Sequence, residues 1–108
     1  MQHLTDADYQ SAIKTAHILV LKYYADWCGP CQMMRPVFEE VAGKIAETNA
    51  GVEFAEMNID ESPGGTDEAG VMTIPTIIVY KDGEEVDRLI GGGDAAGVME
   101  FIKSNLEG

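Results

Sequence analysis

A nearly unbroken apolar run at residues 18–24 is followed, four residues later, by the first of the chain's two cysteines. Such a run is typical of a strand that is buried on both faces, at the centre of a sheet covered by helices. Cys28 and Cys31 are separated by Gly29 and Pro30, and a helical pattern starts near Cys31. The sequence therefore predicts two thiols at the point where a central strand passes into a helix.

Cys28 is predicted to be the reactive thiol of this pair. The peptide dipoles and unpaired N–H groups at a helix N-terminus stabilise a thiolate, which is the species that attacks disulfides. Cys31 would lie in the first helical turn, less open to solvent, and we assign it the resolving role. Gly29 suits a tight turn, and Pro30 at a first helical position gives up an N–H that has no helical partner.

Three other interpretations of the cysteine pair compete with a redox site. A structural disulfide is one, although such bridges stabilise mainly by closing long loops and this loop is very short. A zinc site is another; it needs four ligands, and His3 and His17 are spaced unlike the known CxxC zinc patterns. Inert buried cysteines are the third, and the Gly-Pro pair between the thiols argues against them.

The pentapeptide Trp27-Cys28-Gly29-Pro30-Cys31, followed by a helix, resembles the active site of the thioredoxin family and is far more specific than a bare CxxC. The resemblance covers nearly the whole chain and includes His3-Leu4-Thr5-Asp6, Asn58-Ile59-Asp60, Thr73-Ile74-Pro75-Thr76, Lys81-Asp82-Gly83 and Gly91-Gly92. It implies a redox-active disulfide between Cys28 and Cys31 and no bound cofactor or metal.

The remaining pattern predicts a single domain over residues 1–108. Helices are expected from Thr5 or Asp6, with Asp6 and Asp8 in the first turn, and at about 31–48 and 94–106, with one turn near 66–69. Strands are expected within 1–4 and at 18–24, 52–57, 76–80 and 85–90, the last two joined as a hairpin by Asp82-Gly83. The predicted class is α/β, a three-layer α/β/α sandwich on a mixed four- or five-stranded sheet, which is the form of the thioredoxin fold.

Charge and hydropathy exclude several function classes. Nineteen acidic against seven basic residues give a net charge of −12, and this field repels phosphates, which disfavours nucleic acid binding. Neither a signal-like N-terminus nor an apolar run of membrane-spanning length is present, so we expect a soluble, cytoplasmic protein. We also expect it to act as a monomer. A catalytic dithiol fits that reducing compartment.

Ile74-Pro75 stands just before a predicted strand, and the resemblance implies that this bond is cis and packs against the two sulfurs. The backbone of Ile74 would then bind an extended substrate segment as an added strand. The alternative is a trans proline that merely starts the strand. The residues expected to form a shallow substrate-binding surface around Cys28 are Trp27, Gly29, Pro30, Ile74, Pro75, Gly91 and Gly92.

Lys22 interrupts the apolar run of the predicted central strand, at a position where a buried apolar side chain is expected. It also departs from the family pattern. Thioredoxins usually have a buried aspartate there and a lysine where this chain has Glu56, so both charges are reversed. We expect the two to form an inward-facing ion pair, since an unpartnered buried charge costs several kcal/mol. Glu56 is our hypothetical acceptor for the Cys31 proton, and Lys22 should favour thiolates. The alternative is that one or both side chains point to solvent.

The resemblance implies a general protein disulfide reductase that acts on disulfide-containing proteins and is recycled by a thioredoxin reductase, commonly a flavoprotein drawing on NADPH. A disulfide oxidase or isomerase would run the same chemistry in the opposite direction. Gly-Pro between the cysteines favours the reducing direction. A redox-inert binding subunit is an alternative from another class.

Overall fold

A mixed sheet of five strands, in the order β1-β3-β2-β4-β5, forms the middle layer of the protein. The structure is a computed structural model that describes residues 1–106. The strands are β1 (Gln2–Leu4), β2 (Ile18–Tyr24), β3 (Val52–Asn58), β4 (Thr76–Lys81) and β5 (Glu84–Ile90). Strand β3 is parallel to β1 and β2, whereas β4 is antiparallel to β2 and β5. Every residue of β2 is buried, as its apolar run predicts.

Two helical layers cover the sheet, and the predicted three-layer sandwich is confirmed. The helices are α1 (Tyr9–Thr15), α2 (Gly29–Thr48), α3 (Pro63–Glu68) and α4 (Ala95–Ser104). Alternate side chains of β2 enter opposite cores: Val20 packs with Phe38 of α2 and Ile102 of α4, whereas Leu21 packs with Tyr9 of α1. None of the helices in the described part of the chain is long and apolar enough to cross a membrane.

The prediction for the start of α1 was wrong. The helix begins at Tyr9, and Asp6 and Asp8 precede it instead of lying in its first turn. Asp8 accepts a hydrogen bond from the Thr5 amide at 2.6 Å, which holds the preceding residues in a turn. The Asp6 carboxylate accepts hydrogen bonds from the Gly65 amide at 2.7 Å and the Gly64 amide at 3.1 Å. It therefore satisfies N–H groups in the first turn of α3, which have no partner within that helix.

The other boundaries differ from the predictions by a few residues. Helix α2 begins two residues earlier than expected, at Gly29, and α3 begins at Pro63. Helix α4 ends at Ser104, and Asp94 caps its N-terminus by accepting a hydrogen bond from the Gly97 amide at 2.8 Å. The predicted hairpin is confirmed: Asp82 and Gly83 have φ values of 51° and 89°, which suit the turn that joins twisted antiparallel strands.

Candidate active site

Both cysteines lie at the junction of β2 and α2, where the sequence predicted them. Cys28 is the N-cap residue of α2, and its Sγ accepts a hydrogen bond from the Cys31 amide at 3.2 Å. The two residues are free thiols in this structure and are buried, with 6% of Cys28 and 3% of Cys31 exposed. The helix dipole and an amide donor therefore act directly on the Cys28 sulfur and stabilise negative charge there.

Cys31 lies in the first turn of α2 and is held in its neutral form. Burial, followed by the hydrogen bond with Cys28, raises the pKa of the Cys31 thiol from 9.0 to about 11. The Ala25 backbone and the positive charge of Lys22 act in the opposite direction without cancelling this effect. A thiol of this kind attacks only after a neighbouring group has taken its proton.

The loop before β4 closes one side of the site. The Ile74-Pro75 peptide bond is cis, and the Ile74 carbonyl oxygen lies 3.9 Å from Cys28 Sγ. Ile74 also packs against the cluster that contains both cysteines. The Gly91 amide donates a hydrogen bond of 2.8 Å to the Pro75 carbonyl, so this loop is fixed to the end of β5.

Gly92 lies in a tightly packed position behind this loop. Its φ is 73°, in the left-handed region that side chains disfavour. An added Cβ would collide with the end of the Met34 side chain and would lie 3.3 Å from Pro75 Cγ. Gly91 also has a positive φ, of 89°, but faces open space.

Trp27 is on the surface beside Cys28, with 69% of the residue exposed. Its Nε1 donates a hydrogen bond of 2.7 Å to Asp60 Oδ2, and the Asp60 amide in turn donates to Asn58 Oδ1 at 2.9 Å. The indole is thus held against the loop after β3 while its ring remains accessible. Gly29 and Pro30 are exposed beside it.

Sequence reasoning missed three exposed apolar side chains that adjoin these segments. Met33 is two residues after Cys31, Met72 is two residues before Ile74, and Ile90 ends β5 beside Gly91; they are 77%, 95% and 59% exposed. Met72 lies in a stretch with neither helical nor strand periodicity. An apolar residue in such a stretch was the one sequence signal that could have indicated its exposure. Exposed apolar groups mark an interaction site where they form one contiguous patch.

Lys22 and Glu56 form the inward-facing ion pair that the reversed charges predicted. They are directly opposite each other on β2 and β3, with Lys22 Nζ 3.3 Å from Glu56 Oε2 and side chains that are 1% and 11% exposed. The Lys22 ammonium also lies over the rings of Phe38 and Tyr24, 5.0 and 5.4 Å from their centroids. Cation–π attraction therefore adds to the ion pair. The alternative in which these side chains point to solvent was wrong.

His3 is a second partner of Glu56 that the sequence did not reveal. Its Nε2 lies 2.7 Å from Glu56 Oε1, and the His3 side chain is 63% exposed. The contact arises because β1 and β3 are parallel, with His3 directly opposite Glu56. The carboxylate therefore links a surface imidazole to a buried ammonium.

A cavity of about 280 Å³ adjoins Cys31. Its lining includes Lys22 and Cys31, together with Tyr24, Ala25, Asp26, Gln32 and Arg35. The volume is enough for several water molecules, and the lining is rich in polar groups. Lys22 and Cys31 thus share one polar space.

The metal-site alternative gains no support from the histidines. His17 pairs with Asp82 at 2.7 Å, and His3 pairs with Glu56. Within residues 1–106, no three His, Cys, Asp or Glu side chains are grouped so that they could hold a metal ion.

The family model and the relatives that match this sequence are all described as thioredoxin. Residues 1–104 match the family model described as Thioredoxin. A thioredoxin from Alicyclobacillus acidocaldarius is 46% identical over 88 residues, which cover 82% of this chain and 81% of that protein. A thioredoxin from Staphylococcus epidermidis is 36% identical over 103 residues, or 95% of each chain.

Solved structures show the same fold. A Plasmodium falciparum thioredoxin superposes with a TM-score of 0.84 at 28% identity, covering 96% of this chain and 98% of that one. A chain from a study of thiol resolution in yeast mitochondrial 1-Cys peroxiredoxin, via the glutathione and thioredoxin systems, gives a TM-score of 0.81 at 31% identity. It covers 96% of this chain and 94% of its own.

Proposed function

Because the chain belongs to the thioredoxin family of protein disulfide oxidoreductases, we propose that it is a general protein disulfide reductase acting through Cys28 and Cys31. The observation that carries this proposal is the position of Cys28. Its sulfur caps α2 and accepts the Cys31 amide hydrogen bond at 3.2 Å, beside the Ile74 carbonyl. A thiolate there is stabilised, and a second thiol lies within the same helical turn.

The reaction has two exchange steps. The Cys28 thiolate attacks one sulfur of a substrate disulfide, a bond forms between them, and the other substrate sulfur leaves as a thiolate. Cys31 then loses its proton and attacks Cys28 Sγ. The bond between Cys28 and the substrate breaks, so the substrate leaves as a dithiol and Cys28-Cys31 is oxidised. Two electrons pass from the protein to the substrate, and no bound cofactor takes part.

Substrates would bind on the surface formed by Trp27, Gly29, Pro30, Ile74, Gly91 and Gly92; the structure buries Pro75, which would act beneath this surface by shaping the loop. Its exposed indole and accessible backbone suit varied unfolded or looped segments, because main-chain pairing supplies affinity without demanding one sequence. Met33, Met72 and Ile90 are exposed apolar side chains that follow or precede these residues in the sequence. The proposed substrates are therefore disulfide-containing proteins as a class.

Lys22 and Glu56 would regulate the resolving step. The positive charge of Lys22 lowers the pKa of Cys31 against the effect of burial, and Glu56, which pairs with Lys22 at 3.3 Å, is the proposed acceptor of the Cys31 proton. Alkylation of Cys28 and turnover, each measured against pH, test this in Glu56→Gln and Lys22→Met. If both variants keep the parental profiles, the pair has no catalytic part.

We assign recycling of the oxidised form to a thioredoxin reductase. The proposed setting is the cytoplasm, with the protein acting as a monomeric, single-domain redox carrier. Its acidic surface, with a net charge of −12, favours partners with basic docking faces over nucleic acids.

Insulin reduction, followed by turbidity, tests the function, with NADPH and candidate reductases supplying electrons. We expect turnover with the parental protein and none with Cys28→Ser; Cys31→Ser should accumulate a mixed disulfide on Cys28. The reduction potential tests the direction: about −270 mV is typical of thioredoxin and about −120 mV of the oxidase DsbA. A potential near the second value, or biological activity that survives Cys28→Ser, would contradict the proposal.

A further inference from the structure

Trp27 adjoins two carboxylates that the fold holds in place. Its Nε1 donates a hydrogen bond to Asp60 Oδ2 at 2.7 Å, and Asp26 precedes it directly in the chain. One buried side chain, that of Asn58, ties the two acidic residues together. Asn58 Nδ2 donates to Asp26 Oδ2 at 3.4 Å, and the Asp60 amide donates to Asn58 Oδ1 at 2.9 Å. Both negative charges are therefore fixed features of the surface next to Cys28.

These two carboxylates and that of Glu61, which follows Asp60, lack a paired cation. All three residues are exposed, and none of the ion pairs formed within residues 1–106 includes any of them. A paired carboxylate is largely neutralised at a distance by its partner, whereas an unpaired one keeps its field. In a solution of about 0.1 M salt that field extends about 10 Å. It therefore reaches a substrate that docks at Cys28.

The effect of this field is measurable at Tyr24, the last residue of β2. Burial raises the pKa of its phenol, and three negative charges raise it further, those of Glu56, Asp26 and Glu61. Arg35 is a neighbouring cation, and it lowers the pKa of Tyr24 by less than any one of the three raises it. The end of β2 that leads into the cysteines therefore lies in a negative field.

The other part of the proposed substrate-binding surface carries no charge. No charged residue occurs at 71–77 or at 89–93, the segments that contain Ile74 and the Gly91-Gly92 pair. The Ile74 carbonyl oxygen lies 3.9 Å from Cys28 Sγ, so this neutral segment adjoins the sulfur directly. The surface around Cys28 is therefore polarised, neutral at the Ile74 loop and negative at Trp27.

We propose that Asp26, Asp60 and Glu61 select disulfide substrates in which lysine or arginine flanks the half-cystine. This inference rests on the proposed disulfide exchange at Cys28 and narrows its substrate class. The exposed indole of Trp27 adds to the selection, because a cation over a tryptophan ring is attracted by its face. Charges at the rim of an interface act mainly on the rate of association. The selection should therefore appear in the second-order rate constant for attack by Cys28.

Three small disulfides that differ in charge test this selection. They are the symmetrical disulfides of end-blocked tripeptides, in which a central cysteine is flanked on both sides by lysine, by glutamine or by glutamate. Each is mixed in excess with the reduced protein, the reaction is quenched with acid, and the remaining protein thiols are counted. For the parental protein we expect the rate constants to fall in the order lysine, glutamine, glutamate, with a lysine-to-glutamate ratio above about tenfold at low salt.

The site variant combines three substitutions, Asp26→Asn, Asp60→Asn and Glu61→Gln. Each removes one negative charge and keeps the length of the side chain. The amide oxygen of an asparagine can still accept the hydrogen bond from Trp27 Nε1, which is 2.7 Å long in the parental protein, so the indole keeps its anchor.

The matched control removes the same number of negative charges far from the cysteines, through Glu47→Gln, Glu53→Gln and Glu84→Gln. Glu47 lies in the last turn of α2. Glu53 and Glu84 lie at the end of the sheet where β2 begins, whereas the cysteines follow the end of β2. The control therefore changes the total charge of the protein as much as the site variant does, but leaves the charges at Trp27 in place.

The lysine-to-glutamate ratio of rate constants is compared between these proteins. At about 20 mM salt it should fall about tenfold in the site variant and stay within about twofold of the parental value in the control. In about 0.5 M NaCl the ratios of all three proteins should come close together, because screening then confines the field to a few ångströms.

Two results would overturn this selection. Equal ratios in the site variant and the control would mean that the preference comes from the total charge of the protein or from the peptides themselves. A difference between the two variants that persists undiminished in high salt would mean that the three substitutions act through shape and not through charge. Failure of the proposed function looks different, because the parental protein would then react with none of the three peptides.

Discussion

Lys22 Nζ lies 3.3 Å from Glu56 Oε2, and the two residues are directly opposite each other on the paired strands β2 and β3. Lys22 depends on this contact more than Glu56 does, because its side chain is almost fully buried and its other neighbours are aromatic rings. Glu56 keeps a second partner in His3. The consequences of losing either member are therefore unequal.

The ion pair predicts a specific ranking of stabilities. Glu56→Gln should lower the free energy of unfolding by about 3 to 5 kcal/mol, because it strands a buried ammonium. Lys22→Met should lower the free energy of unfolding by less, since Glu56 keeps its contact with His3. The double variant should be more stable than Glu56→Gln alone. Urea denaturation measures the stability of all three variants. Lys44→Met is the control: it breaks the exposed pair of Lys44 with Glu40 and should change stability by under about 1 kcal/mol. Equal losses in the two single variants would contradict this account.

The pKa of Cys31 predicts late ionisation of this thiol. Burial is the main cause of its rise to about 11, and burial persists when Cys28 is replaced by serine. In Cys28→Ser, iodoacetamide modification of Cys31 should therefore still accelerate between about pH 10 and 11, where an ordinary thiol has levelled off. The reduced, unfolded protein in urea provides the reference. A plateau at the same pH in both states would show that the fold does not hold the proton.

The same pKa shift predicts a loss of stability at high pH. The folded-state pKa of Cys31 is above the unfolded value of 9.0, so its contribution is complete below pH 9 and is lost as pH rises towards 11. The loss should be about 2 to 3 kcal/mol. Urea denaturation of the reduced protein measures it, and Cys31→Ser, which keeps the same tyrosines, should lose correspondingly less. Parallel curves for the two proteins would disprove the assignment.

The packing at Gly92 predicts that adding a side chain there lowers stability more than adding one at Gly91. Gly92→Ala combines a φ of 73° with a collision against Met34, whereas Gly91→Ala has a φ of 89° and open space. Both should lose about 1 to 2 kcal/mol from backbone strain, and Gly92→Ala about 1 to 3 kcal/mol more from overpacking. Thermal and urea unfolding compare the two. Equal losses would mean that Met34 moves aside without cost.

The exposed apolar side chains predict effects on substrate binding without effects on chemistry. Trp27→Ala and Met72→Ala should each raise KM for reduction of a protein disulfide several-fold, because apolar contact with the substrate is lost. Reactivity of Cys28 with a small aromatic disulfide should not change. Val86→Ala, at an exposed apolar position in β5, is the matched control. An unchanged KM in both site variants would place the docking surface elsewhere.

Most of the fold followed from local patterns. The apolar run at 18–24 became β2 with both faces buried, and Asp82-Gly83 became the predicted hairpin turn. The start of α1 did not follow, because Asp6 hydrogen-bonds to α3 amides 58 and 59 residues away. A helix-start pattern of acidic residues carries no information about a partner at that separation.

The candidate site, too, was predicted in part from local patterns and missed where distant residues meet. The spacing of the cysteines and the helix that starts beside them placed Cys28 at the N-terminus of α2, because capping is decided within one turn of chain. The Lys22–Glu56 pair followed from two departures that made physical sense only together. The contact of His3 with Glu56 could not be predicted in this way, because it depends on the register between β1 and β3. Met72 was missed because exposure in an irregular segment has no periodic signal.

The sequence by itself therefore determined where the thiols lie on the chain and which elements flank them. It also determined that Lys22 and Glu56, whose charges are reversed relative to the family, should be buried as a pair. Only the tertiary structure decided what else surrounds them: the cavity shared by Cys31 and Lys22, and the contact of His3 with Glu56. The physical reason is range. Helix caps, turns and apolar periodicity act over a few residues, whereas strand order and register bring together side chains that no local pattern relates.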